Sequence, residues 1–284
     1  MKKAWIVALV VLLSPLAAGA GSRAEALKRV ESSMLVKGSI ETNADGSVSN
    51  VAIDKAEKFP AGLVGYVQKE VMGWKFEPVL VDGKPMRARS LMSLRVVAKK
   101  VDEDNYSIAI RNASFDGPAP VEGETLTSRT MRAPGYPPEV AAAGASGVVY
   151  VVVKVGANGR VADAIVEQVN LKTAGTDKEM AKWRKSFAIV ALGAARQWTF
   201  NTPVSGEQAQ QESWSARVPV AFHMNSRLDA AYGKWEAYIP GTRQSVPWSQ
   251  ENRPGFSPDA LAEGGVYMLG QAQGLKLLTE LDGT

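Results

Sequence analysis

Gly147-Val148-Val149-Tyr150-Val151-Val152-Val153-Lys154-Val155, followed by Asn158-Gly159, is the stretch whose reading decides the fold. It is mostly β-branched, as expected of a strand with both faces buried. Asn-Gly is a strong hairpin signal, so residues 161–169 form the returning strand. From Asp177 onward Met180, Trp183, Phe187, Val190 and Ala194 recur at steps of three and four, which predicts a long helix with one apolar face. Trp198-Thr199-Phe200-Asn201-Thr202-Pro203 then alternates like a short strand, Gly206 marks a turn, and residues 215–223 close the unit. The order is β-β-α-β. Its natural form is a small antiparallel sheet with one helix packed on a face.

The same order runs upstream. Residues 34–42 alternate as a strand, Asp45-Gly46 turns the chain, and residues 48–53 return. Phe59-Pro60 opens a helix whose apolar face is Leu63, Val64, Val67 and Val71. Trp74-Lys75-Phe76-Glu77-Pro78 follows it, as Trp198 and Phe200 follow the second helix. Asp82-Gly83 makes a further turn, and residues 91–98 form the last strand. The fold class is therefore α+β, with two β-β-α-β units at residues 34–100 and 133–224. Residues 101–132 read as a linker holding one short strand at 106–111 and a loop at Asp116-Gly117-Pro118-Ala119-Pro120. Residues 225–284 form a C-terminal extension. Near its end, residues 266–269 and 275–278 flank a Gly-bounded five-residue loop, the pattern of a hairpin. Trp235, Tyr238, Trp248 and Phe256 imply that the extension packs on something.

The N-terminus carries a compartment signal. Lys2 and Lys3 precede an apolar run at residues 4–13, broken at Ser14-Pro15, and Ala18-Gly19-Ala20 presents the small residues that a signal peptidase reads. Residues 1–20 are expected to be a signal peptide that directs the protein to the periplasm. An uncleaved inner-membrane anchor is the alternative, although the run is short against the ~20 residues of a span. Residues 23–33 form a short helix or remain a leader. Removal of residues 1–20 lowers the net charge from +4 to +2, because Lys2 and Lys3 leave and no acid does. With no aromatic-studded basic stripe, nucleic acid is not an expected partner.

Candidate chemistry is sparse. There is no cysteine, which excludes disulfides and thiolate metal sites. The single histidine, His223, lies at a strand end without a second ligand or a Ser/His/Asp order around it. Asp102-Glu103-Asp104 lacks the glycine of a calcium loop and reads as a solvated turn. Gly144-Ala145-Ser146-Gly147 is neither a phosphate loop nor a nucleophile elbow. Trp74 and Trp198 are expected in the core. No catalytic residue, metal or cofactor is expected, and the chain does not read as an enzyme.

The second unit resembles the C-terminal domain of TonB, the energy transducer of Gram-negative envelopes. The resemblance rests on Pro134-Gly135-Tyr136-Pro137, Gly147-Val148-Val149-Tyr150-Val151, Asn158-Gly159-Arg160-Val161, Ala194-Ala195-Arg196-Gln197-Trp198-Thr199-Phe200, and Val218-Pro219-Val220-Ala221-Phe222, in that order. The first unit resembles the same domain more weakly and lacks the Tyr-Pro start. The resemblance implies a periplasmic, non-catalytic domain. It would take up an extended segment of an outer-membrane receptor, or of another envelope protein, on an exposed strand edge. The residues it assigns to peptide binding are Arg132, Tyr136 and Pro137 at the start of the unit and Ser215, Arg217 and Val218 on the closing strand. A rigid start in which Tyr136 and Pro137 cap the core is the competing reading of that pair. The thirteen residues 21–33 span at most about 45 Å and contain no proline, so the long arm of a force transducer is missing. The expected role is binding linked to TonB-dependent transport, with a homodimer left open. The alternative is a structural component of the envelope whose units pack together with no free edge.

Overall fold

A computed structural model describes residues 30–102, 105–116, 123–224, 232–249, 257–270 and 274–281. The expected signal peptide and leader at residues 1–29 lie outside these, as do Phe256, Glu103 and Asp104.

The first unit contains β1 (Glu31–Thr42), β2 (Val48–Ile53), α1 (Ala61–Met72), the small hairpin β3 (Val79–Val81) and β4 (Lys84–Met86), then β5 (Ala88–Lys100) and β6 (Tyr106–Asp116). Leu63, Val67 and Val71 face inward from α1, as their spacing predicts. β5 pairs along β1 from Ser32 to Thr42, and β2 takes the other side of β1 at Gly38–Thr42. The strand expected at residues 106–111 is longer than its sequence suggests. It runs to Asp116 and pairs along β5 from Leu91 to Lys100, so it is a full member of this sheet. Phe115, near its end, makes edge contacts with Trp74 and Phe76 in the core.

β7 (Thr127–Thr130) and the short α2 (Pro138–Ala142) lead into the second unit. This holds β8 (Gly147–Gly156), β9 (Val161–Leu171), α3 (Asp177–Ala195), β10 (Thr199–Asn201) and β11 (Ser213–Phe222). Thr176 and Glu179 form a reciprocal capping box at the start of α3. Met180, Trp183, Phe187, Ala191 and Ala195 bury its inner face against Val149, Val151, Val153 and Val155 of β8. The sheet order is β9-β8-β11, matching β2-β1-β5 in the first unit.

The Asp-Gly and Asn-Gly turns serve the same contact in both units. Gly46 and Gly159 have φ of 78° and 73°, and each accepts a main-chain hydrogen bond from Phe76 and Phe200 respectively. A Cβ at either glycine would stand 1.9 or 2.3 Å from that phenylalanine's carbonyl oxygen. The hairpin tip thus lies directly on the Trp-x-Phe strand, and only glycine combines the positive φ with that approach.

Among the described residues, the C-terminal extension does not form the expected hairpin. Residues 266–269 and 275–278 were expected to pair as a hairpin, but each finds an older partner. β13 (Tyr267–Met268) adds to β11, and Leu277 bridges to Phe76 in the first unit. Strand borders already fixed by long pairings offer more main-chain partners than a new two-stranded ribbon, which is marginal alone. β12 (Glu236–Tyr238) pairs with Glu31–Ser33, so β1 starts three residues before its expected start at Met34. Leu275, Leu277 and Leu281 complete the first unit's core. Among the described residues, no helix is long and apolar enough to cross a membrane.

Candidate functional site

The border of the second sheet is β11, and its geometry follows from alternation. Ala216, Val218, Val220 and Phe222 point into the core beneath α3, while Ser215 and Pro219 turn their carbonyls outward. Proline is tolerated at position 219 because an edge strand needs no donor on its outer side. The outer side is not empty. Leu269 donates its main-chain N–H to the Ser215 carbonyl (2.8 Å), and Gly264 donates to that of Pro219 (3.0 Å). Between them Ala216 faces Met268 and Arg217 faces Tyr267, antiparallel. The border expected to be free therefore carries the protein's own extension from Ser215 to Pro219.

The side chains assigned to peptide binding divide into three groups. Arg132 is exposed, and its carbonyl accepts the Trp198 indole N–H (2.9 Å). Tyr136 packs edge-on against Phe187 and Phe222 and donates its hydroxyl to the Ala145 carbonyl, while Pro137 is buried as the cap of α2. This is the core-capping geometry of a rigid start. Val218 is buried in the core. Arg217 is 2% exposed and forms a two-pronged ion pair with Glu167, Nε to Oε2 at 2.5 Å and a second nitrogen to Oε1 at 3.1 Å. Arg243 of the extension reaches the same carboxylate at 2.8 Å. Ser215, Arg217 and Val218 thus share one border strand, Tyr136 stands at its Phe222 end, and Arg132 lies by Trp198. The Ser215 main-chain carbonyl is taken by Leu269, and the side chains of Arg217 and Val218 are committed inward.

Two buried charged groups escaped the sequence reading. Glu167 had a visible signal, since it and Arg217 are opposite charges inside apolar strands. Asp259 had none, because Ser257-Pro258-Asp259 reads as a turn. It joins the two sheets. Its carboxylate accepts from Asn112 of β6 (2.7 Å), from Asn170 of β9 (3.5 Å) and from the Tyr238 hydroxyl. Its main-chain carbonyl accepts from Arg95 of β5 (2.9 Å). Burial, and then the Asp259 charge, push the Tyr238 hydroxyl well above the usual phenol range, so it stays protonated and donates.

A third cluster anchors the extension beside the border. His223 Nε2 lies 2.7 Å from Glu263 Oε2, and Lys172 reaches Glu263 at 3.1 Å and Glu236 at 2.8 Å. Burial pushes the Glu263 carboxyl up, but the His223 hydrogen bond and the Lys172 charge outweigh it and hold the group at about 2. A carboxyl depressed in the folded state stabilises it above the unfolded pKa and loses that contribution as pH falls through the folded one. The stability advantage of wild type over Glu263→Gln is expected to be present at pH 5. It should shrink by about 2–3 kcal/mol as pH falls toward 2. Denaturant midpoints measured across that range check this; a difference that does not vary with pH would contradict it. Among the described residues, no group of three or more potential metal ligands comes together.

Over 101 residues the chain is 36% identical to Protein TonB of Xanthomonas campestris pv. campestris strain B100, and equally to that of strain ATCC 33913. The match covers 35% of this chain, which spans only 39% of the length of those curated relatives. No family model matches the chain, and no solved structure matches it. The chain therefore contains a TonB-like segment amounting to about a third of its length.

Proposed function

We propose that this is an exported periplasmic protein whose TonB-like unit binds an extended peptide of an outer-membrane receptor or other envelope protein, in a process linked to TonB-dependent transport. It acts by adding the peptide to the outer side of β11, as a binding protein and not as an enzyme. The reading takes its support from one observation, that this side accepts a strand, antiparallel and through main-chain bonds; the strand it holds is the protein's own, so a peptide has to compete with it. A border built to be covered by strand addition is the physical requirement of this recognition mode. The similarity to Protein TonB supports it.

Main-chain recognition makes a specific prediction. Ser215→Pro removes an outward-facing donor and should weaken peptide binding at least tenfold, whereas Ser215→Ala should change it less than twofold. Titration of periplasm-facing receptor peptides against both variants provides the check, and equal losses would count against strand addition.

A second reading has its own observation. Asp259 ties both sheets together, and the extension pairs with both units. That construction suits a structural envelope component with no free edge. Native mass measurement together with the same titrations separates the two: a stable oligomer without peptide affinity supports the structural role.

A further inference from the structure

The segment lying on β11 is short. Only Ala216–Met268 and Arg217–Tyr267 face each other there, against ten facing pairs between β11 and β8. It is bounded by turn-forming glycines, with φ of 77° at both Gly264 and Gly270. Met268 is its main anchor, with Leu269 also buried and Val266 packed against the second unit's core. Met268 is buried in the second unit's core, where its sulfur accepts from the Leu126 N–H (3.1 Å) and the Thr125 hydroxyl (3.3 Å). Tyr267, facing Arg217, folds its hydroxyl back onto the Ala262 carbonyl (3.0 Å) and so packs on its own loop. Outside the segment, Glu263 is held by His223 and Lys172.

We propose that residues 264–269 are a resident stand-in for the partner's peptide, and that the partner must displace them. This rests on the peptide-binding reading above and deepens it. The stand-in states the chemistry of its replacement. The peptide is extended and antiparallel to residues 215–219. It carries a long, flexible apolar side chain at the Met268 position, apolar side chains at the Val266 and Leu269 positions, small residues where Gly264 and Gly265 lie, and no charge at the anchor. Thioether and unbranched aliphatic side chains fill such an irregular slot well. A two-pair contact between glycine turns is the kind of local element that opens well below the global unfolding free energy. A longer peptide that pairs from Ser213 to Ala221 would gain main-chain bonds that the resident segment lacks.

The test uses the full chain and a fluorescein-labelled hexapeptide of the sequence of residues 264–269, read by fluorescence anisotropy. Met268→Ser removes the anchor and should tighten hexapeptide binding at least tenfold over wild type. The hexapeptide with aspartate in place of its methionine should not bind. In a chain free of native cysteine, Ala216→Cys with Met268→Cys gives a closable clasp at a facing pair. Oxidation should abolish binding and reduction should restore it. Equal affinity of wild type and Met268→Ser, or binding indifferent to the clasp, overturns the proposal. If Met268→Ser does not fold, hydrogen exchange of the wild type decides. Excess hexapeptide should accelerate exchange at Leu269 and Gly264, and unchanged protection overturns the idea. The arms also separate the two readings. Clasp-sensitive hexapeptide binding without any receptor-peptide binding upholds the stand-in and removes the envelope-partner function. Receptor-peptide binding that ignores the clasp does the reverse.

Discussion

Glu167→Ala is expected to lower stability by roughly 3–5 kcal/mol, the range seen when one partner of a buried ion pair is removed. The Glu167 and Arg217 side chains are 1% and 3% exposed, so the alanine variant takes the two-pronged carboxylate partner away from an interior guanidinium. Arg217 cannot escape to solvent without breaking the border strand, because its neighbours Ala216 and Val218 are core residues. Arg243, 40% exposed, can turn outward, so Arg243→Ala should cost less than about 1 kcal/mol. Replacing both members, Glu167→Leu with Arg217→Met, should recover most of the loss, since well-packed apolar residues often match a buried pair. Guanidinium chloride midpoints for the four proteins check the set. A single-site loss below 1 kcal/mol at Glu167 would show that the pair does not hold the border.

Asp259→Ala is expected to have an effect of another kind. It removes the acceptor of Asn112 and Tyr238 and leaves both donors buried, at about 1–3 kcal/mol each. These donors sit on β6 and β12, two strands of the first sheet, while Asn170 reaches in from the second sheet. Coupling between the units should therefore weaken along with stability. Calorimetry of the wild type should give one endotherm, and Asp259→Ala should give two, the earlier one shifted down by several degrees. Asp259→Asn keeps an acceptor and should fall between. One unsplit transition at wild-type temperature would mean that the sheets cohere without this carboxylate.

What the sequence disclosed was the local part of the structure. Val148 to Val155, the helical spacing from Met180 to Phe187, and the Asp-Gly and Asn-Gly turns each express a preference fixed within a few residues. They appear where their patterns place them. The extension was opaque because its strands are two or three residues long and its partners lie far away in sequence. Glu31 looked like leader because the neighbours that order it, Tyr238 and Arg111, come from elsewhere in the chain. At the site, the border strand was legible through the resemblance and its coverage by residues 264–269 was not. Ser215 lies on that border, where its carbonyl accepts the Leu269 N–H. Arg217 was read as a contact, when a charge in an apolar strand also signals a buried partner on the next strand but one.

The placement of Leu275, Leu277 and Leu281 has a consequence for biogenesis. The amino-terminal unit takes part of its interior from residues that are synthesised after the whole of the second unit. Vectorial synthesis can finish the later unit's sheet while the earlier one still waits for its final apolar side chains. A nonsense codon just before position 275 would therefore injure the amino-terminal unit first.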